Sequence, residues 1–271
     1  MGEGSKRVPA GPLQRRPSLV RAVAIQGKSQ PENWQVAAEV AVELDVNGVP
    51  VMVTMATPAD LEDLAVGLAY TEGVLLDATA IENIGVHETL EGVVVDLTVA
   101  DGSVNAQARR ARLLEGRSGC GLCGVDTLAA AMRSPVAQAS RARAVTVSDA
   151  ALQRAFAALP GLQPLNALTH SVHAAAWCAI DGEVVCARED VGRHNALDKL
   201  AGWRLRAPAI AQPGFVILSS RLSYELVCKA VAMGAGLLAA VSAPTALALE
   251  LADVAELPLA CLGPGGAIVR L

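Results

Sequence analysis

Two closely spaced cysteines in a glycine-rich loop are the residues of this 271-residue chain whose type and spacing point most directly to chemistry. The loop reads Arg117-Ser118-Gly119-Cys120-Gly121-Leu122-Cys123-Gly124. Its glycines allow the backbone to bend and let a bulky partner reach the sulfur atoms. The nearby arginines and the start of a helix predicted from near Asp126 favour the thiolate over the thiol. A thiolate is the form that attacks a disulfide or persulfide sulfur.

Three chemistries use such a pair. It can cycle between dithiol and disulfide, bind a soft metal, or carry a sulfane sulfur on one cysteine while the other assists its release. A thioredoxin-like motif would follow a strand in a βαβ unit, whereas an Arg-rich segment precedes Cys120. A zinc site remains open, because His170 and His173 could complete a tetrahedral set with the two cysteines. We favour sulfur transfer and expect no resident metal.

The other four cysteines are predicted to be core residues. Cys178, Cys186, Cys228 and Cys261 lie in apolar runs, where a free cysteine behaves as a small hydrophobic residue. One tight pair among six cysteines does not resemble a secreted disulfide framework in a chain of this length. The charged N-terminus shows no signal peptide, so we expect a cytoplasmic protein.

A polar cluster interrupts the apolar second half of the chain between a predicted strand and a predicted helix. It reads Arg188-Glu189-Asp190-Val191-Gly192-Arg193-His194-Asn195 and continues into Asp198 and Lys199. As the wall of a site, it would use Asp190 or His194 to move protons and Arg193 or Lys199 to contact phosphate. The alternative is a solvated turn in which Asn195 caps the helix.

Three further turns are predicted to follow strands of one sheet. They are Ser219-Ser220-Arg221-Leu222-Ser223, Ser242-Ala243-Pro244-Thr245 and Gly263-Pro264-Gly265-Gly266. Ligands of open α/β sheets bind outside the carboxyl ends of the strands, and helix N-termini there favour phosphate. Together the three turns indicate a ligand that carries phosphate.

The elements that must position these residues predict an α/β protein with two parts. Residues 36–46 alternate with period two, Asn47-Gly48 signals a hairpin, and Thr57 is predicted to cap a helix. Another strand is expected over Val93–Val99, so this first part is α+β. In the second part, strands alternate with helices, which predicts a largely parallel sheet covered by helices. Ser148 is expected to cap its first helix.

Charge divides the chain further. Residues 1–30 carry a net charge of +5, against −5 for the whole chain, and are predicted to be a flexible basic tail. We assign residues 31–118 to the N-terminal α+β region and 119–271 to a C-terminal domain that begins with the cysteine loop. Residues 105–145 contain seven arginines and two acids, which indicates a surface for an anion or a partner. Residues 230–249 lack formal charge, but their glycines and proline predict helix, turn, strand and helix rather than a membrane span.

Several ordered motifs from residue 36 to 262 resemble the formate dehydrogenase accessory sulfurtransferase family, FdhD. Besides the cysteine loop, they are Thr57-Pro58-Ala59-Asp60-Leu61-Glu62, Tyr70-Thr71-Glu72-Gly73, Glu189 to Leu200, Ser219-Ser220-Arg221 and Val241-Ser242-Ala243-Pro244-Thr245. The resemblance implies that a cysteine desulfurase passes persulfide sulfur to the protein. The protein then transfers that sulfur to the molybdenum bis(molybdopterin guanine dinucleotide) cofactor that formate dehydrogenase requires.

The resemblance also implies roles for individual residues. Cys120 would carry the persulfide, with Cys123 as its partner. The C-terminal domain would have a cytidine-deaminase-like fold, and the protein would be a homodimer with no nucleic-acid or membrane partner. The residues expected to contact the cofactor are Cys261, Leu262, Gly263, Pro264, Gly265, Gly266, Ser219, Ser220, Arg221, Asp190, Arg193, His194 and Lys199. The terminal loop lacks the aromatic and basic residues expected of the family.

A second hypothesis belongs to another functional class. The chain could be a noncatalytic chaperone, zinc-stabilised through the cysteine and histidine pairs, that binds the cofactor or the apo-enzyme. Metal content separates the two hypotheses.

Overall fold

The computed structural model describes residues 19–24, 33–106, 108, 145–208 and 212–271. Several predictions lie outside these ranges: the Cys120 and Cys123 loop, most of the arginine-rich segment, the helix expected near Asp126, and the predicted domain boundary between residues 118 and 119. The described residues form three sheets with helices between and around them.

The N-terminal sheet has four strands in the order β4-β3-β6-β5. These are β3 (Val40–Val46), β4 (Val49–Ala56), β5 (Ile81–Glu88) and β6 (Val93–Val99). Asn47 and Gly48 have φ angles of 52° and 71°, the left-handed values that a tight hairpin turn between β3 and β4 requires. Valine and leucine side chains from one face of the sheet pack on helix α1 (Leu61–Thr71).

A two-stranded sheet corrects the prediction of a flexible tail. β1 (Val20–Ala24) pairs antiparallel with β2 (Asn33–Ala37), so residues 20–24 of the segment 1–30 form a strand. The tail was inferred from charge, but Val20 and Ala22 alternate with Arg21 in a strand pattern. The strand predicted over residues 36–46 is also divided, because β2 ends at Ala37 and β3 begins at Val40.

The C-terminal sheet has six strands in the order β12-β11-β10-β9-β7-β8. They are β7 (His173–Ala179), β8 (Val184–Asp190), β9 (Gly214–Leu218), β10 (Leu238–Ala240), β11 (Leu259–Leu262) and β12 (Ile268–Arg270).

The prediction of a largely parallel sheet is wrong, because this sheet is mixed. β9, β10 and β11 are parallel, whereas β8 with β7, β7 with β9, and β11 with β12 pair antiparallel. The physical reason is the length of the connections. A tight turn at Asp181-Gly182 joins β7 to β8 and a short glycine turn joins β11 to β12, and such turns can join only antiparallel neighbours.

Helices cover both faces of the six-stranded sheet. α4 (Arg193–Arg206), α5 (Tyr224–Ala232) and α6 (Ala246–Val254) pack on one face, and α2 (Asp149–Ala158) packs on the other. The short helix α3 (Pro164–Thr169) precedes β7. Strand β10 and helix α6 divide residues 230–249 as predicted. Within the described ranges, no helix is both long and apolar enough to cross a membrane.

The two predicted helix caps have opposite outcomes. Ser148 caps α2, since its hydroxyl accepts a hydrogen bond from the Ala151 N–H at 3.2 Å. Thr57 does not cap α1. The helix begins at Leu61, after Asp60 in the left-handed conformation, and Thr57 is buried against the C-terminal half of the chain.

Helices α1 and α4 join the N-terminal and C-terminal sheets at a very close crossing. A Cβ atom built on Gly67 would lie 1.8 Å from the Asp198 carbonyl oxygen, and one built on Gly202 would lie 1.8 Å from the Asp63 carbonyl oxygen. The backbones therefore touch where the two glycines face each other.

Candidate functional site

One edge of the six-stranded sheet collects most of the predicted site residues. The register pairs that run across the sheet towards this edge are Asp190 with His173, Ala175 with Leu218, Leu218 with Ala240, and Ala240 with Cys261. The carboxyl ends of β8, β9, β10 and β11 therefore lie side by side, next to the amino end of β7. The N-termini of α4, α5 and α6 lie at the same edge.

The three predicted turns meet at this edge. Residues 219–223 follow β9, residues 242–245 follow β10, and residues 263–266 follow β11. The first two turns are joined directly, because the Thr245 N–H donates to the Leu222 carbonyl at 3.0 Å. The sequence thus predicted their proximity correctly, and their ligand remains a prediction.

The serines of the first turn hold the backbone. The Ser219 hydroxyl accepts a hydrogen bond from the Ala174 N–H at 2.8 Å, and the buried Ser220 hydroxyl donates to the Arg221 carbonyl at 3.1 Å. Arg221 itself is exposed. Of the residues predicted here, Arg221 is therefore the one whose side chain extends from the turn into solvent.

The C-terminal residues divide between strand and loop. Cys261 is only 6% exposed and lies on β11, so its side chain belongs to the protein interior, and Leu262 ends the strand. Pro264, Gly265 and Gly266 are exposed and turn the chain back into β12, with the Gly263 N–H donating to the Ala267 carbonyl at 2.7 Å. Any ligand contact of this loop is therefore a contact with backbone and proline.

Asp190 and Lys199 form an ion pair that is closed to solvent. Both side chains are 0% exposed, and Lys199 Nζ lies 2.7 Å from Asp190 Oδ2. The ammonium also donates to the carbonyls of Thr57 and Glu189 at 3.0 and 3.2 Å, which uses its three hydrogens. The Asp190 carboxylate accepts from the N–H groups of Thr57 and Gly192 at 2.9 and 2.8 Å.

This arrangement changes the role expected of the two charged residues. A phosphate cannot reach Lys199 Nζ without breaking one of its three bonds, and Asp190 has no solvent path along which to move a proton. Burial of an ion pair is tolerated when its remaining hydrogen-bonding capacity is filled, as it is here. We therefore assign Asp190 and Lys199 to holding the strand-to-helix turn rather than to contacting a ligand.

Arg193 and His194 lie at the start of α4, and His173 lies at the start of β7. Arg193 Nε is shielded from solvent and has no hydrogen-bond partner among the described residues. Burial, with Arg193 and His194 nearby, lowers the pKa of His173. A hydrogen bond from His194 lowers the pKa of Glu225, in the first turn of α5, to about 2. The cluster therefore combines the Arg193 guanidinium and two imidazoles with the ionised Glu225 carboxylate at the sheet edge.

The four described cysteines are unsuited to carrying sulfur. Burial raises the pKa of Cys178 to about 12 and those of Cys186 and Cys228 to about 11. Cys261 is enclosed in the sheet. A thiol that stays protonated at neutral pH is a poor nucleophile. Cys178 and Cys261 are buried core residues as predicted, whereas Cys186 and Cys228 are partly buried and pack against the core.

The two histidines proposed for zinc occupy different environments. His170 is exposed in a left-handed conformation at the end of α3, with φ 51°, whereas His173 is half-buried on β7. Within the described ranges, no three His, Cys, Asp or Glu side chains are grouped as metal ligands. The cysteine half of the proposed zinc set lies outside those ranges.

Comparison with known proteins identifies the family of the chain. Residues 37–268 match the model of the FdhD/NarQ family. The chain belongs to this family. Proteins named "Sulfur carrier protein FdhD" share 45% identity over 244 residues in Xanthomonas campestris and 46% over 235 residues in Cupriavidus necator. These alignments cover 89% and 87% of this chain and 86% and 81% of the relatives.

A solved structure supports the fold of the FdhD/NarQ chain. A formate dehydrogenase accessory protein from Desulfotalea psychrophila superposes with a TM-score of 0.68 at 20% sequence identity, covering 93% of this chain and 95% of that one. At this identity the similarity shows the mixed α/β fold alone.

Sequence reasoning missed Thr57 and Asn195 as organisers of the site. The Asn195 amide donates to the Met55 carbonyl at 2.8 Å and to Asp190 Oδ1 at 3.1 Å. Thr57 contacts residues more than 130 positions away. No local pattern reveals such contacts, although a string of polar residues before an apolar helix is a signal that some of them have buried partners.

Proposed function

We propose that this protein is a cytoplasmic sulfurtransferase that carries persulfide sulfur on Cys120. In this proposal a cysteine desulfurase is the donor, and the acceptor is the molybdenum bis(molybdopterin guanine dinucleotide) cofactor, bound as a substrate. The client is formate dehydrogenase. The observation that carries the proposal is membership of the FdhD/NarQ family together with relatives named sulfur carrier proteins.

The chemistry of the cysteines supports the choice of carrier. Three of the four described cysteines have raised pKa values, and the fourth is buried in β11. Only Cys120 and Cys123 remain of the six in the sequence, and arginines flank them along the chain. Cation-rich surroundings favour the thiolate that the transfer requires.

The proposed reaction has two steps. The Cys120 thiolate attacks the outer sulfur of the donor persulfide, a new S–S bond forms on Cys120, and the donor cysteine leaves as a thiolate. The Cys123 thiolate then attacks Cys120 Sγ, and the outer sulfur leaves as hydrosulfide for the cofactor. The two cysteines are left as a disulfide, having supplied two electrons to the sulfur, and a thiol reductant restores them.

The sheet edge supports binding of an anionic, nucleotide-bearing substrate. Among the residues that the structure describes, Arg193 Nε has no hydrogen-bond partner, Arg221 is exposed, and the N-termini of three helices lie at the same edge. Guanidinium groups and helix N-termini are the protein groups best suited to phosphate.

Two further parts of this proposal rest on the family resemblance. They are the cytidine-deaminase-like fold of the C-terminal domain and the homodimer.

Intact-mass measurement tests the sulfur carrier. After incubation with a cysteine desulfurase and cysteine, the wild-type protein should gain about 32 Da, one sulfur atom, and lose it on reduction. Cys120→Ala should gain nothing, and the matched control Cys228→Ala should load like wild type. No gain in the wild type with an active desulfurase would contradict the proposal, and one equivalent of zinc lost on His170→Ala would favour the chaperone hypothesis instead.

Calorimetry with guanosine monophosphate tests the sheet edge. Arg193→Gln removes the charge of this side chain. It should weaken the binding of guanosine monophosphate about 10- to 100-fold, the loss expected for a charge-assisted hydrogen bond. Arg154→Gln is the control, because Arg154 is exposed and donates to the Asp181 carbonyl on the β7–β8 turn. Equal affinities for both variants would remove Arg193 from the site.

A further inference from the structure

The turn between β4 and α1 reaches across the molecule into the sheet edge. Thr57, in this turn, is 0% exposed and makes three separate contacts with the C-terminal half. Its N–H donates to Asp190 Oδ2 at 2.9 Å, its hydroxyl accepts from the Val191 N–H at 3.1 Å, and its carbonyl accepts from Lys199 Nζ at 3.0 Å.

These contacts fix the segment that precedes Arg193 and His194. Asp190 Oδ1 accepts from the Gly192 N–H at 2.8 Å, so the same carboxylate is bound by Thr57 on one oxygen and by the turn on the other. The Val191 N–H, at the end of β8, has the Thr57 hydroxyl as its partner. The path from the end of β8 to the first turn of α4 is therefore held from the N-terminal sheet.

The neighbouring contacts extend in the same direction. Asn195, one turn into α4, donates to the Met55 carbonyl of β4, and the Thr54 hydroxyl lies 3.4 Å from its amide oxygen. Strand β4 and the turn after it thus contact α4 at several points, and Thr57 also bonds with the Val191 N–H between Asp190 and Arg193.

We infer that Thr57 is a positioning residue for the sheet-edge site, which sets the geometry of the turn that leads into Arg193. This inference rests on the proposed function for the identity of the ligand. Thr57 itself is buried and touches no ligand, so its effect passes through the Val191 and Gly192 backbone.

A hydroxyl deletion and its rescue test the inference. Thr57→Val keeps the size of the side chain but leaves the Val191 N–H without an acceptor, whereas Thr57→Ser keeps the hydroxyl. Thr57→Val should bind guanosine monophosphate about tenfold more weakly, the loss expected for one buried hydrogen bond, and Thr57→Ser should bind like wild type. Both variants should load persulfide on Cys120 at the wild-type rate.

A matched control separates positioning from general destabilisation. The Thr89 hydroxyl bonds with Gly92 in the β5–β6 turn, so Thr89→Val loses hydrogen bonds but leaves the Thr57 acceptor of the Val191 N–H in place. Its nucleotide affinity should match wild type. Equal weakening in Thr57→Val and Thr89→Val would overturn the inference.

Hydrogen exchange provides a readout that does not depend on the ligand. The amides of Val191 and Gly192 should exchange at least about tenfold faster in Thr57→Val than in wild type, because a lost hydrogen bond lowers the local opening free energy. If the wild type fails to bind the nucleotide, the cofactor part of the proposed function fails, and faster exchange still supports the role of Thr57. Unchanged exchange in Thr57→Val overturns that role whatever the nucleotide does.

Discussion

Lys199 and Arg193 are cations within two turns of each other on α4, but their environments differ. Lys199 fills its three hydrogens with one carboxylate and two carbonyls inside the protein. Arg193 keeps a shielded Nε with no partner among the described residues. The difference supports the proposal that the first cation holds the fold and the second binds the ligand.

Removal of the buried cation should be costly. Lys199→Met leaves the Asp190 carboxylate enclosed without its counter-charge, and we expect a loss of about 3–5 kcal/mol in the free energy of unfolding. Asp149→Asn is the control, since it breaks an exposed ion pair with Arg270 and should cost under about 1 kcal/mol. Urea denaturation measures both. Equal losses of unfolding free energy in the two variants would mean that the buried Asp190–Lys199 pair stabilises the protein no more than the exposed pair does.

The pKa of His173 predicts a pH dependence of stability. Burial, Arg193 and His194 lower this pKa below the ordinary 6.5, so the unfolded chain takes up a proton at a higher pH than the folded protein does. The stabilisation is therefore complete above pH 6.5 and is lost as the pH falls towards the folded pKa.

Substitution of His173 tests the prediction that stability falls as the pH falls. Between pH 7.5 and 5.5 the free energy of unfolding of wild type should fall more steeply than that of His173→Gln. His87→Gln, at an exposed position on β5, should keep the wild-type slope. If the unfolding free energy of His173→Gln fell more steeply with pH than that of wild type, the predicted direction of the His173 contribution would be wrong.

At the scale of elements, the crossing of α1 and α4 is the contact least able to accept a new atom. Gly67→Ala or Gly202→Ala would place a methyl group 1.8 Å from a backbone oxygen of the other helix. Overpacking costs about 1–3 kcal/mol where side chains can move. Since two backbones must separate here, we expect a loss above that range.

Gly161 provides the comparison for the crossing. It lies in a short turn after α2, has no atom within 4 Å of a built Cβ, and does not require a positive φ. Gly161→Ala should leave the free energy of unfolding within about 1 kcal/mol of wild type or raise it slightly. If Gly67→Ala lost no more unfolding free energy than Gly161→Ala, the close approach of the α1 and α4 backbones would be contradicted.

The elements that the sequence predicted well depend on contacts close in the chain. Asn47-Gly48 adopts the left-handed angles of a hairpin turn, Ser148 caps its helix, and the alternation of β9, α5, β10, α6 and β11 appears in the order expected. Each of these depends on residues a few positions apart.

The predictions that failed depend on distant partners. Thr57 does not cap α1, because its hydroxyl accepts a hydrogen bond from the Val191 N–H. Lys199 points into the protein, where it bonds with Asp190 and Thr57. β1, β5 and β12 are short or carry weak alternation and become strands because a neighbour supplies hydrogen bonds. Local patterns do not encode these pairings.

At the scale of the whole molecule, the N-terminal and C-terminal sheets are joined by ion pairs that range from buried to partly exposed. Arg188 and Arg206 share the Asp63 carboxylate at one end of the α1–α4 contact. At the other end, Lys229 binds Asp198 and Glu72. The glycine crossing lies between these two ionic groups.

The two sheets should therefore unfold together. In a Trp34→Phe background, fluorescence comes from Trp177 and Trp203 in the C-terminal half. Its change during urea denaturation should coincide with the loss of hydrogen-exchange protection in β3 and β6. Gly67→Ala should separate the two transitions if it folds, because it opens the contact between the sheets. Two transitions in the wild type would show that the halves are independent.

The last strand of the chain has a consequence for how the protein avoids self-association. β12 pairs with β11 through Arg270, Val269 and Ile268, and so covers the outer hydrogen-bonding edge of Leu259–Leu262. Without those few residues, an apolar parallel strand would present free N–H and carbonyl groups to other molecules, the arrangement that seeds edge-to-edge aggregation. A three-residue strand with a charged side chain is a poor template for a further partner. Trimming of the C-terminus would therefore endanger solubility before it affected the chemistry of the sulfur.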